Sequence, residues 1–99
     1  MERFRNNNEL YAFSRELMDF LHSAREADLA DQVSHASRFI SGSPSEFLNE
    51  VHLALRNVLS ARLPALSAER EEEIRQALQQ IDDEFRATGG ADGITARTA

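Results

Sequence analysis

Periodic apolar residues predict an all-α protein, a four-helix bundle of up-down or orthogonal arrangement with a disordered C-terminal tail. Three observations carry that prediction. Hydrophobic residues recur at spacings of three and four in four separate segments, the period of one helix face. The composition, 41% hydrophobic and 28% charged, is that of a chain able to bury a core, unlike the weakly hydrophobic chains that stay disordered. Its 99 residues suffice for one domain and leave little core to give up to a deep cavity. The chain divides into a flexible polar arm at 1–7, a single helical domain at 8–86 and a tail at 87–99.

The first helix is expected from Asn8 or Glu9, where Leu10, Phe13, Leu17, Phe20, Leu21 and Ala24 form one stripe. Continuing that stripe would require apolar residues where Asp28, Asp31 and His35 stand. The apolar series resumes instead at Leu29, Val33, Ala36 and Ile40, out of phase with the first. One straight helix cannot present both stripes to a single core. A turn is therefore placed near Glu26–Asp28, with Asp28 as the cap of helix 2 and Asp31 favourable in its first turn. A single bent helix is the alternative.

Ile40-Ser41-Gly42-Ser43-Pro44-Ser45-Glu46 reads as a helix boundary. Gly42 suits the left-handed conformation past a helix end, and Ser43 the N-cap of the next helix. Pro44 fits the first helical position, and Glu46 completes a capping box with Ser43. Helix 3 then carries Phe47, Leu48, Val51, Leu55, Val58 and Leu59 on a broad face and is expected to be the most buried. After the apolar connector Leu63-Pro64-Ala65-Leu66, Ser67 caps helix 4, whose early glutamates complement the helix dipole. Its stripe of Ile74, Leu78, Ile81 and Phe85 is narrow, close to a coiled-coil seam. That seam leans on the bundle or packs across a two-fold axis, which leaves monomer and homodimer equally open. Gly89, Gly90 and Gly93 among small polar residues give the tail its disordered composition.

The formal net charge is −6, and residues 65–86 hold seven acids against three arginines. A nucleic-acid partner calls for a basic stripe that displaces counterions from phosphates, and none is visible. No run of about 18 apolar residues exists to span a membrane, nor is there the apolar core of a signal peptide, so a cytoplasmic location is expected. All basic residues are arginine, which codon bias explains without any function. Cysteine is absent, which excludes disulfides and thiolate metal sites.

Candidate chemistry is sparse. Asp19 with His22, and Asp31 with His35, share helix faces at metal-ligand spacing, but both pairs sit off the apolar stripes and no Glu-x-x-His motif accompanies them. The sequence lacks a nucleophile elbow and a phosphate loop, and its paired carboxylates all face water alike. No catalytic residue, metal or cofactor is assigned. Two features suggest contact with another protein. Asp82, Asp83 and Glu84 sit near the C-terminal end of helix 4, where the dipole disfavours negative charge, so an acidic docking patch is a candidate. Ile74, Leu78 and Ile81 on the adjoining seam are the apolar candidates.

Asp28-Leu29-Ala30-Asp31-Gln32-Val33, Gly42-Ser43-Pro44-Ser45-Glu46-Phe47-Leu48 and Leu53-Ala54-Leu55-Arg56 together resemble a group of small bacterial all-helical proteins. Their pattern runs Leu-Ala-x-x-hydrophobic, then Gly-Ser-x-Ser-Glu-hydrophobic-Leu, then an amphipathic Leu-x-x-Leu-Leu helix. The resemblance covers about residues 10–86 and implies an all-helical fold and bacterial origin, without an activity or functional residues. That pattern carries Gly in the turn before Leu-Ala, where this chain has Arg25-Glu26-Ala27. In size and acidity the chain also resembles colicin DNase immunity proteins, which neutralise basic toxins, but it has none of their Tyr-Pro-containing recognition segment. The expectation is a non-enzymatic module that binds a protein partner, basic in character, in a toxin-neutralising or regulatory role. A metal-dependent or small-molecule enzyme and a homodimeric structural protein are the alternatives.

Overall fold

Apolar stripes fix which face of each helix turns inward, and the computed structural model, described for residues 3–91, 93 and 94, packs four helices around them. They are α1 (Asn7–Ser23), α2 (Ala27–Ser37), α3 (Pro44–Ser60) and α4 (Ala68–Thr88), with a short 3₁₀ turn at Arg38–Ser41 after α2. Each helix packs on the next in chain order. The radius of gyration, 12.8 Å, is that of a single folded domain of this length. The described residues contain no strand.

Leu10, Phe13, Leu17 and Leu21 of α1 are buried against Val33 and Ala36 of α2 and a row from α3. That row, Phe47, Leu48, Val51, Ala54, Leu55 and Val58, makes α3 the most buried helix, as its broad apolar face predicts.

α1 and α2 are separate helices, and the break has a defined cause. Arg25 adopts φ 63°, the left-handed region, while Glu26 N–H donates to Leu21 O at 2.8 Å and Arg25 N–H to His22 O at 3.0 Å. Those two bonds are the Schellman ending of a helix. An arginine thus takes the conformation for which the resembling proteins carry glycine. Asp28 does not cap α2: that helix starts at Ala27, which puts Asp28 in its first turn.

Two expectations at the next boundary are corrected. Gly42 is not left-handed (φ −104°), because α2 tightens into the 3₁₀ turn and Gly42 N–H closes it on Phe39 O at 2.9 Å. The expected capping box is not formed either. Ser43 is the extended N-cap and Pro44 the first helical residue, but the Ser43 hydroxyl lies 3.1 Å from that of Ser45 and caps nothing. A box-like cap forms instead at the start of α1. There the Asn6 side chain accepts from Glu9 N–H at 3.0 Å, and the Glu9 carboxylate accepts from Arg5 N–H at 2.8 Å. The Arg5 N–H first, and then the Arg5 guanidinium, which donates to the same carboxylate at 2.8 Å, hold the Glu9 carboxyl below its ordinary pKa.

The segment expected as a free polar arm, residues 1–7, instead docks from Arg3 onward. Phe4 is buried beside Phe13, with ring centroids 5.4 Å apart. Gln80 of α4 accepts from the N–H groups of Phe4 (2.9 Å) and Arg3 (3.1 Å), and its amide donates to Phe4 O at 2.6 Å. α4 packs chiefly on α3, so this contact ties its other flank to α1. The C-terminal segment adds a second tie. α4 runs to Thr88 and ends on Gly89 at φ 68°, after which Ile94 is buried and donates its N–H to Asn7 Oδ1 at 2.7 Å. Gly93 permits that approach, since a Cβ there would lie 2.5 Å from the Asn7 side chain. Of the tail expected at 87–99, positions 92 and 95–99 lie outside the described residues.

Candidate functional site

The seam of α4 belongs to the core of the chain itself. Ile74 and Ile81 are fully buried, and Ala77 and Gln80 join them on a face wider than the apolar residues alone predict. Leu78 is half-buried. Ile74 and Ile81 are thus buried within the chain's own core and present no exposed face.

Nor do the three acids of α4 form one patch. The Asp82 carboxylate reaches across to α3 and meets His52 Nε2 at 2.9 Å. Asp83 pairs with Arg86 at 3.0 Å and accepts from Gln79 at 3.0 Å. Glu84 is only 3% exposed, facing inward, and its carboxylate accepts from the Thr88 hydroxyl at 3.2 Å. Each acid near the unfavourable end of the dipole is therefore partnered within the fold. The sequence suggested a shared external use, and the structure gives three internal ones.

The histidines are dispersed. His22 is exposed, His52 is bound to Asp82, and His35 lies 3.8 Å from Glu50 of α3. Among the described residues, no three His, Asp or Glu side chains converge as metal ligands, and no helix is long and apolar enough to cross a membrane.

What remains is a groove between α2 and α3, with a volume of about 250 Å³. One wall is the α2 row Asp31, Gln32 and His35; the other is the α3 row Glu50, Leu53 and Asn57, with Ala54 also lining the space. The spacings of three and four that build the core also build these walls, one helix face further round. Ala54 is buried, and its short side chain leaves open the space that a larger residue would fill. Leu53, by contrast, is 52% exposed and is the one exposed large hydrophobic side chain among the described residues. Asn57 donates to Gln32 at 2.7 Å, joining the two walls. The His35 ring stands edge-on to Phe39 at 5.3 Å, which orients it beside the groove.

Sequence reasoning passed over Leu53 because it lies off the α3 core stripe. The signal was its being left over: once Val51, Leu55 and Val58 are assigned inward, a leucine two positions after Val51 must point elsewhere. No protein-family model, curated protein or solved structure matches the chain.

Proposed function

We propose that the chain is a non-enzymatic protein-interaction module, toxin-neutralising or regulatory in role, that engages its partner through the α2–α3 groove. The observation that supports this reading most is Leu53, held half out of water on the wall of an open groove. A lone surface leucine is ordinary. A leucine beside unfilled, largely apolar space offers a partner side chain both an anchor and a socket, the arrangement found where binding energy concentrates. The net charge of −6 favours a basic partner.

The test is site-specific photo-crosslinking in the native cells, with p-benzoylphenylalanine at position 53 and, as control, at Glu16 on exposed α1 surface. A discrete protein adduct from position 53, absent from position 16 and competed away by excess unlabelled wild-type chain but not by Leu53→Asp, is expected. Identical adducts from both positions, or none from position 53, would overturn the proposal.

A further inference from the structure

We infer that the α2–α3 groove receives an arginine side chain presented next to an apolar residue by the partner protein; the inference rests on the groove being the partner surface. Its walls combine two chemistries. Leu53 and Ala54 offer apolar surface, while Asp31 on α2 and Glu50 on α3 bring a carboxylate from each side. Asp31 forms no ion pair with a described residue. The His35 Nε2 lies 3.8 Å from the Glu50 carboxylate, longer than a hydrogen bond. Elsewhere in the fold carboxylates find closer partners: Glu9 with Arg5 at 2.8 Å, Asp82 with His52 at 2.9 Å and Asp83 with Arg86 at 3.0 Å. Among the described residues, none of the chain's arginines lines the groove. Its carboxylates thus flank apolar space without the close guanidinium partner that Glu9 and Asp83 possess.

Arginine matches that pairing better than the other cationic side chain. Its methylene stem lies along apolar surface while the planar guanidinium donates to two carboxylates at once. The guanidinium is also more weakly hydrated than an ammonium, so it enters a partly dry groove at smaller cost. An adjacent apolar residue on the partner then covers Leu53. The acidity of the whole chain adds long-range attraction that falls with ionic strength.

The experiment is a ¹H–¹⁵N NMR titration of the full chain with the blocked dipeptide N-acetyl-Leu-Arg-amide, set against its neutral isostere N-acetyl-Leu-citrulline-amide. Shifts confined to 28–36 and 49–58 are expected, with the arginine peptide binding about tenfold tighter, the scale of one charge-assisted hydrogen bond. Asp31→Asn with Glu50→Gln alters only groove side chains that reach solvent, so the variant folds, and the preference for arginine over citrulline falls to near unity. Equal binding of the two peptides, or shifts spread over remote acids such as Glu72 and Asp83, would overturn the inference. A position-53 crosslink that persists alongside equal peptide binding defeats the arginine reading alone. Loss of the crosslink defeats the groove as partner surface.

Discussion

Replacing Phe4 by alanine tests whether the N-terminal segment is a structural part of the domain. The ring is 5% exposed, and a buried Phe→Ala change ordinarily costs about 3–5 kcal/mol. Three hydrogen bonds link residues 3–4 to Gln80 and contribute about 1 kcal/mol each. Against these stands the ordering of residues 3–6, at about 1–2 kcal/mol per residue, or about 4–8 kcal/mol in all. The two sides nearly balance, so the segment has little reserve. Without the ring it undocks rather than enclosing a cavity, and the cost is capped at its net docking free energy, about 1–3 kcal/mol. Gln80→Ala releases the same segment from the other side. The pair is therefore strongly non-additive: in urea denaturation the double variant costs little more than the worse single one, a coupling of about 1–2 kcal/mol. Additivity within about 0.3 kcal/mol, or a Phe4→Ala cost below about 0.5 kcal/mol, would refute the reasoning.

Arg25 pays for a left-handed backbone that glycine adopts freely. The cost of about 1–2 kcal/mol, less the greater chain entropy of glycine, predicts that Arg25→Gly stabilises by about 0.5–1 kcal/mol and raises Tm by roughly 2–8 °C in calorimetry. Ile81 is core whereas Leu78 is half-buried, so Ile81→Asp buries an unpaired charge and unfolds the chain, at more than about 4 kcal/mol. Leu78→Glu keeps its helical circular dichroism and sediments as wild type does. The Glu9 carboxyl is held below its ordinary range, first by Arg5 N–H and then by the Arg5 guanidinium. A carboxylate whose folded pKa is depressed contributes stability above its unfolded pKa and loses it as pH falls through the folded one. An NMR pH titration is expected to place the Glu9 midpoint below the ordinary glutamate range, and Arg5→Ala to raise it.

The fold was legible because its four apolar stripes are in phase with helices and out of phase with one another. The shift between Ala24 and Leu29 located a turn, although no periodicity showed that Arg25 would adopt positive φ; the hydrogen bonds of the Schellman ending go with that geometry. Boundary motifs were less reliable. Ser43 and Glu46 match a capping box that the structure does not form, while the box-like cap of Asn6 and Glu9, closed on Arg5 N–H, follows no such motif. Phe4 was hidden by its neighbours, since one aromatic between two arginines has no periodicity to mark it as core. Gln80 and Glu84 were hidden by their chemistry: both are polar, and both are buried with hydrogen-bond partners, Phe4 for Gln80 and Thr88 for Glu84. The candidate site was misplaced for the same reason. Charge and apolar pattern identify residues that want a partner, but not whether the fold already supplies one.

Leu53 and Leu55 stand two positions apart on α3, one 52% exposed and the other fully buried. Urea unfolding of Leu53→Ala and Leu55→Ala side by side measures directly whether Leu53 is surplus to folding and so available to a partner. Leu55→Ala is expected to cost about 2–5 kcal/mol and Leu53→Ala less than about 0.5 kcal/mol. Comparable losses from the two variants would mean that Leu53 is buried in the free chain and that the open groove does not exist.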